Sequence, residues 1–151
     1  MHKTVFITGA SRGIGRATAL RFVMDGWRVG IGYHTSDAEA RALIAALAEL
    51  GTMATAVRGD VASAEDAGRM VQETRTALGH IDVLINNAGI AHTALFTDTD
   101  YAAWRRLFTV NVDGAYHCTE AVLPDMISRR SGVILNVSSI WGLVGASCEV
   151  A

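Results

Sequence analysis

Short apolar runs recur along the chain, separated by longer stretches in which apolar positions have helical spacing. Each run is nearly continuous rather than alternating, which is typical of parallel strands covered on both faces of a sheet. The five runs are Val5-Phe6-Ile7, Val29 to Tyr33, Ala54 to Val57, Ile81 to Ile85 and Val133 to Val137. The pattern therefore predicts five buried strands.

Helices are predicted between these runs. The apolar positions at helical spacing are Ala67, Met70, Val71, Thr74 and Leu78 in one segment and Ala42, Ala46, Leu47 and Leu50 in another. Gly51 follows the second segment as a helix stop. The stretch 101–130 is long for one helix, and we expect it to bend or break at Asn111, Gly114 or Pro124.

The alternation of strands and helices predicts the fold class. Strand and helix follow one another repeatedly, which indicates a doubly wound parallel α/β sheet of the Rossmann type. The sequence has one proline, no low-complexity segment and no linker. We therefore expect residues 1–151 to form a single domain.

Composition excludes several classes of partner. Half of the residues are hydrophobic, 19% are charged and the net charge is −2, without the basic surplus typical of nucleic-acid binders. No apolar run has the length of a membrane span, so neither membrane insertion nor secretion is expected. The two cysteines, Cys118 and Cys148, have no metal-site spacing and are interpreted as reduced thiols of a cytoplasmic protein. No metal site is predicted.

A glycine-rich turn follows the first apolar run. Gly9 permits a tight turn, Gly13 has no side chain to block approaching phosphates, and Gly15 allows the following helix to pack closely. The free N–H groups at the start of that helix would face an anion. Such turns also occur for structural reasons, so the glycines alone leave cofactor binding and a structural turn both open.

Four further motifs accompany this turn in order along the chain. They are Gly59-Asp60-Val61, Asn86-Asn87-Ala88-Gly89, Val110-Asn111-Val112 and Asn136-Val137-Ser138-Ser139. Together with Thr8-Gly9-Ala10-Ser11-Arg12-Gly13-Ile14-Gly15 they resemble the short-chain dehydrogenase/reductase family over its N-terminal three-fifths. The nearest general resemblance is to the β-ketoacyl carrier-protein reductases. The cofactor-binding residues implied by it are Gly9, Ser11, Arg12, Gly13, Ile14, Gly15, Tyr33, His34, Asp60, Val61, Asn87, Ala88 and Gly89.

Each motif also has a purely structural interpretation. Asp60 is compatible with a turn or helix cap, and the two asparagines at 86–87 with a tie between strand ends. Asn111 is compatible with an ordinary bend in a helix, and Ser138 and Ser139 with a polar strand exit. These interpretations would all have to hold together for the resemblance to be accidental.

The end of the second strand bears on which nicotinamide cofactor is bound. NAD specificity in such folds needs an acid there, but Tyr33 occupies the position and Asp37 comes four residues later. Arg12 and His34 supply the positive charge and donors that a 2′-phosphate requires. The sequence therefore favours NADP, with NAD as the less favoured alternative.

The resemblance also implies the chemistry. In the family, a tyrosine whose pKa is lowered by a lysine four residues later transfers the proton, a serine holds the substrate oxygen, and an asparagine supports a relay water. Ser139 and Asn111 match the serine and the asparagine. No tyrosine of this chain has a lysine four residues later, and the only lysine, Lys3, is expected to lie buried in the first strand. The tyrosine is expected just past Ala151, so the domain is predicted to be incomplete at its C-terminal end.

Two functions follow from these patterns. The first is an NADP-dependent oxidoreductase, as the intact protein, that interconverts a carbonyl and an alcohol, with acyl-carrier-linked ketones among the candidate substrates and a homo-oligomeric state implied by the resemblance. His92, Leu95, Phe96, Trp141 and Leu143 are candidates for the carbonyl pocket, with ordinary packing as the alternative. The second function is a non-catalytic domain that binds or senses a nucleotide. The 151-residue chain by itself is predicted to be inactive.

Overall fold

The computed structural model describes residues 2–145 and 147–148, and its centre is a parallel sheet of five strands. The strands are β1 (Thr4–Ile7), β2 (Arg28–Tyr33), β3 (Ala54–Arg58), β4 (Val83–Asn86) and β5 (Val133–Asn136). Their order in the sheet is β3-β2-β1-β4-β5, and every neighbouring pair is parallel. All five predicted strands are confirmed.

Helices connect the strands. They are α1 (Gly13–Met24), α2 (Asp37–Glu49), α3 (Ala64–Leu78), α4 (Tyr101–Phe108) and α5 (Gly114–Arg129), with a π-helical segment, Thr109–Asp113, joining the last two. Short 3₁₀ turns lie at Phe96–Asp98 and Ile140–Gly142. In the part of the chain that the structure describes, no helix is long and apolar enough to cross a membrane.

Two apolar layers cover the sheet. On one face Val5, Ile7 and Ile31 pack with residues of α1 and α2, and on the other Phe6 and Leu84 pack with residues of α3 and α5. These strand residues are 0% exposed, because parallel strands with crossover helices lose both faces to the core. The predicted doubly wound fold is therefore confirmed. The order of strands reverses between β1 and β4, and ligands of such folds bind at that reversal.

The long helical stretch breaks at one of its predicted places and continues through another. Asn111 lies in the π-helical segment, and α5 begins at Gly114. The expected break at Pro124 is wrong, since α5 runs on to Arg129. Pro124 lies on the exposed side of the helix, where the carbonyl left without an N–H partner is accessible to water.

Two other expectations are corrected. The buried residues of α2 are Ala40, Leu43 and Leu47, whereas Ala42 and Leu50 are exposed. Helix α2 covers the outer part of the sheet, so only a narrow stripe of its apolar residues reaches the core. Lys3 is also not buried. It precedes β1, is exposed, and places its Nζ 5.4 Å from the centre of the Trp27 ring.

A charged cluster ties α5 to the amino-terminal side of the sheet. The Asp125 carboxylate, 12% exposed, accepts hydrogen bonds from Arg129 Nε at 2.9 Å and Arg75 Nη2 at 3.3 Å, and lies 3.0 Å from His80 Nδ1. Burial alone would raise the pKa of Asp125. The hydrogen bond and charge of Arg129, with His80 and Arg75, outweigh burial and lower that pKa below its ordinary value.

Replacing Asp125 by asparagine is expected to lower the free energy of unfolding at pH 7 by about 1–3 kcal/mol, the range for hydrogen bonds to a charged group. Because the folded-state pKa of Asp125 is lowered, its contribution is complete above the unfolded-state pKa, near 4, and is lost as the pH falls through the folded-state value. Urea unfolding at pH 7 and pH 3 tests this. The control is Asp25→Asn, because among the described residues Asp25 pairs only with exposed Arg21, and this substitution should change stability by less than about 0.5 kcal/mol. Equal losses in both variants would contradict the expectation.

Candidate functional site

A cleft of about 360 Å³ opens at the carboxyl ends of β1 to β4, where the strand order reverses. Four loops form its wall, one after each of these strands, together with side chains of α3, α4 and the π-helical segment. The residues proposed from the sequence that line it are Gly9, Ser11, Arg12, Ile14, Tyr33, His34, Asp60, Val61, Asn87, Ala88 and Gly89. Gly13 and Gly15 belong to the same loop and helix start but do not line the cleft.

The glycine loop is held against the segment that follows β4. A Cβ on Gly9 would lie 2.8 Å from Ala88 Cα, and Gly9 has a φ of +63°, so a side chain there meets both a clash and backbone strain. A Cβ on Gly15 would lie 2.6 Å from Asn87 Nδ2. Gly15 is buried, which matches the predicted close packing of α1.

The start of α1 is open. Gly13 has a φ of +57°, and a Cβ there would meet nothing within 4 Å. The residue before it, Arg12, occupies the N-cap position without a side-chain cap. The first N–H groups of α1 therefore lack the side-chain partner that usually satisfies one of them, and the partial positive charge of the helix start faces this space.

Thr8 and Asn87 join the two loops at the floor of the cleft. The Thr8 hydroxyl accepts hydrogen bonds from the backbone N–H groups of Asn87 and Ala88, each at 3.0 Å. Asn87 Nδ2 donates to the carbonyl oxygens of Thr8 at 2.9 Å and Gly9 at 3.1 Å. The tie between strand ends that the sequence suggested for this asparagine is therefore present, and it fixes the glycine loop. Thr8 begins the motif Thr8 to Gly15 but is not among the cofactor-binding residues that the resemblance implies.

Asp60 lies in the wall after β3 and makes turn contacts as well. Its Oδ1 accepts from Ala62 N at 3.0 Å, and its Oδ2 accepts from Arg106 Nη2 at 2.9 Å. Burial opposes ionisation of Asp60, but these two hydrogen bonds and the charges of Arg106 and His34 outweigh it, and they lower the pKa of Asp60 below its ordinary value. The carboxylate is ionised at neutral pH and acts as an acceptor only.

The loop after β2 presents basic rather than acidic character to the cleft. The Tyr33 hydroxyl donates to Asp37 Oδ1 at 3.1 Å. Burial, and then this hydrogen bond, raise the pKa of Tyr33. The Asp37 side chain does not line the cleft and lies 4.0 Å from Arg58, whereas His34 lines the cleft beside Asp60.

Asn111 connects the π-helical segment to the residues after β4. Its Nδ2 donates to Ile90 O, and its Oδ1 accepts from Ile90 N, both at 2.9 Å. A Cβ on Gly89 would lie 3.4 Å from Asn111 Oδ1, so the asparagine stands directly behind the cleft wall. Asn111 does not itself line the cleft. Its side chain therefore positions the loop after β4.

Ser139 follows the edge strand β5. Its Oγ accepts from Trp141 N at 3.2 Å and caps the 3₁₀ turn. The strand is anchored by Asn86 Nδ2, which donates to Asn136 Oδ1 at 2.9 Å across the parallel register. Ser139 is exposed and does not line the cleft, so the structure does not bring it together with the residues of the cleft.

The suggested carbonyl-pocket residues also lie outside the cleft. Leu95, Phe96, Trp141 and Leu143 are exposed, whereas the His92 Nε2 atom is buried and has no hydrogen-bond partner among the described residues. Within the described part of the chain, no group of three or more His, Cys, Asp or Glu side chains is arranged to hold a metal ion.

Sequence reasoning missed Arg106 in the cleft wall. Arg106 belongs to α4 and meets Asp60 across 46 positions of the chain. No local motif marks it, because a helix with two consecutive arginines is more often simply solvated on that side. Only the packing of α4 beside the loop after β3 identifies the arginine that faces the cleft.

Comparison with known proteins agrees with this architecture. A family model described as short chain dehydrogenase matches residues 3–151. The chain is 36% identical over 145 residues to a 3-oxoacyl-(acyl-carrier-protein) reductase of Staphylococcus aureus (strain Mu50), covering 96% of this chain and 59% of the relative. A reductase of the same description from Synechocystis sp. is 36% identical over 143 residues, covering 95% of this chain and 58% of the relative.

A relative with a different described substrate is similarly close. An L-rhamnose 1-dehydrogenase (NAD(P)(+)) of Sphingomonas sp. (strain SKA58) is 41% identical over 148 residues, covering 97% of this chain and 58% of the relative. The chain thus spans slightly less than three-fifths of the length of these relatives. The match of the family model over residues 3–151 shows that the chain belongs to the short-chain dehydrogenase family.

Proposed function

We propose that the intact protein is an NADP-dependent oxidoreductase that interconverts a carbonyl and an alcohol. The observation that carries this proposal is the cleft at the strand reversal, whose floor is the glycine loop and whose wall contains Asp60 and the Asn87 segment. Eleven of the thirteen residues that the sequence suggested for cofactor binding line this one cleft. Residues 1–151 are proposed to be a single dinucleotide-binding domain, incomplete at its C-terminal end.

The shape of the glycine loop fits a diphosphate. The position of Gly13 is open, and α1 starts there without a side-chain cap, so its N–H groups are available to an anion. Gly9 and Gly15 bring the backbone close to the Asn87 segment. When bound, a nicotinamide dinucleotide supplies or accepts the hydride. The loop residues Gly9 to Gly15 hold its diphosphate in the proposal.

The adenosine side of the cleft supports NADP over NAD. Arg12 and His34 both line it, whereas the nearest acid after β2, Asp37, is occupied by the Tyr33 hydroxyl. A carboxylate that accepts hydrogen bonds from the ribose hydroxyls would repel a 2′-phosphate, whereas a guanidinium would form an ion pair with it. Asp60 and Val61 are proposed to recognise the adenine ring.

The catalytic roles follow from the demands of carbonyl reduction. Negative charge develops on the substrate oxygen, so a donor must meet it. We assign that donor to the Ser139 hydroxyl and the support of a relay water to Asn111. The tyrosine and lysine expected for proton transfer are not among the 151 residues, and the proposal places them after Ala151.

The proposed substrate class and oligomeric state follow from the relatives and the family resemblance. Two of the relatives are described as acting on acyl-carrier-linked ketones and one on a sugar. We propose a small carbonyl or alcohol substrate, with an acyl-carrier-linked ketone as one candidate, and a homo-oligomer. The cytoplasmic location stays a prediction from the sequence. A non-catalytic nucleotide-binding domain is the second candidate function, favoured by the absence of a paired tyrosine and lysine within these 151 residues.

Arg12→Ala is expected to weaken NADPH binding by about 1–3 kcal/mol, the range for a lost charge-assisted hydrogen bond, and to leave NADH binding nearly unchanged. The reason is that Arg12 lines the cleft and would meet the 2′-phosphate. Fluorescence titration of both cofactors measures the two affinities. Arg16→Ala is the matched control, since Arg16 is exposed one turn later on α1 and does not line the cleft. NADH binding as tight as NADPH binding by the unmodified chain would refute the NADP assignment.

A further inference from the structure

The side chain of Arg106 meets the cleft from a helix that the nucleotide motifs do not include. Arg106 Nη2 lies 2.9 Å from Asp60 Oδ2, and both residues line the cleft. The two side chains are 46% and 24% exposed, so the contact is only partly screened by water. Among the described residues, Arg106 provides the only hydrogen bond to this oxygen.

The rest of Asp60 is fixed by other groups. Its Oδ1 accepts from Ala62 N at 3.0 Å, and its backbone N–H donates to Asp66 Oδ2 at 2.9 Å. His34 Nε2 lies 4.0 Å from Oδ2, too far for a hydrogen bond. Loss of Arg106 would therefore leave the backbone of Asp60 in place but free the outer oxygen of its carboxylate.

A different helix, α5, holds the next residue, Val61. His117 Nδ1 lies 3.1 Å from Val61 O, and a Cβ on Gly114 would lie 2.7 Å from Val61 Cγ2. Helix α5 thus anchors the loop through Val61, while Arg106 of α4 holds the side chain of Asp60. The two attachments are separate, so an Arg106 variant tests the orientation of the carboxylate without releasing the loop.

We propose that Arg106 is a positioning residue that orients the Asp60 carboxylate, and thereby makes the cleft selective for a purine base with an amino group at C6. The inference rests on the proposed function, in which Asp60 recognises the adenine ring, and adds Arg106 to it as the residue that orients the carboxylate. An ionised carboxylate can only accept hydrogen bonds, so it pairs with the amino group of adenine. Hypoxanthine presents a carbonyl oxygen at that position, which leaves two acceptors facing each other.

Selectivity is measured with the 151-residue chain and two probes, NADPH and its hypoxanthine analogue, by titration calorimetry. We expect the unmodified chain to bind NADPH about tenfold more tightly than the analogue, the usual scale for a single mismatched hydrogen bond. Arg106→Gln should lower NADPH affinity about fivefold and change the affinity for the analogue by less than about twofold, because only the oriented acceptor is lost. Arg106→Lys, which keeps the charge, should retain an intermediate preference.

Two controls separate this role from general charge and from misfolding. Arg105→Gln removes the neighbouring exposed arginine, which makes no side-chain contact with Asp60 in the described structure, and should leave both affinities unchanged. In an Asp60→Asn background, Arg106→Gln should cause no further change in base preference, because the group that it orients is gone. Circular dichroism melting verifies that each variant is folded.

Four results would overturn the inference. Equal losses for both probes in Arg106→Gln would mean that the arginine attracts anions without orienting Asp60. Unchanged affinities would mean that Arg106 does not act on the bound nucleotide. If the unmodified chain binds neither NADPH, NADH nor the analogue, the proposed function fails and the inference fails with it. Binding of NADPH without base preference leaves the proposed function standing and removes only the role of Arg106.

Discussion

The 151-residue chain is expected to reduce no ketone, whichever nicotinamide cofactor is supplied. Reduction needs a proton at the developing alkoxide, and none of Tyr33, Tyr101 and Tyr116 has a lysine four residues later. Burial and the hydrogen bond to Asp37 raise the pKa of Tyr33, which is opposite to what a proton donor at neutral pH requires. Lys3 is exposed and precedes β1, so it lies at the amino-terminal end of the strands, whereas the cleft lies at their carboxyl ends.

Incubation of the purified chain with NADPH or NADH and a panel of activated ketones, followed by cofactor absorbance, measures this activity. Binding of NADPH without turnover is the expected pair of results. The same assay on a form extended past Ala151 is the positive control and separates the enzyme from a non-catalytic nucleotide-binding domain. Turnover by the 151-residue chain that Ser139→Ala abolishes would show that the proton comes from a group other than the expected tyrosine.

Ser139→Ala in an extended, active form is expected to lower turnover about a hundredfold or more, the typical loss for one donor to a developing oxyanion. Cofactor affinity should change little, because Ser139 lies after β5 and outside the cleft that Asp60 and the glycine loop line. The Ser139 hydroxyl accepts from Trp141 N, so its own proton stays available for donation. Steady-state kinetics with a separate cofactor titration distinguishes these effects.

Ser138→Ala is the matched control for this prediction. Both serines follow β5 and are exposed, but Ser139 alone caps the 3₁₀ turn Ile140–Gly142. Loss of the cap contact alone would lower stability and leave turnover of the folded enzyme unchanged, so thermal melting is measured beside the kinetics. A large loss of turnover in Ser138→Ala with a normal Ser139→Ala enzyme would move the serine assignment by one position.

The sequence by itself determined the strands and the floor of the cleft. Five continuous apolar runs match the five strands to within two residues at either end, because a strand buried on both faces has few polar positions to blur its limits. The conformation of the glycine loop could also be predicted from the sequence. Gly9 and Gly13 require a left-handed backbone, and Gly15 a close approach to Asn87, so these positions carry their conformation in their residue type.

Tertiary structure decided what periodicity and motif spacing leave open. The buried face of α2 is Ala40, Leu43 and Leu47, which could not be chosen from a helix that is apolar on several sides until the sheet beneath it was placed. Pro124 stays within α5 because it faces solvent, and the contact of Arg106 with Asp60 depends on how α4 packs beside the loop after β3. Local sequence patterns indicate which conformations the backbone of each segment can adopt. Which exposed side chains converge on one site depends on contacts between segments far apart in sequence, and here those contacts brought the cation to the carboxylate in the cleft wall.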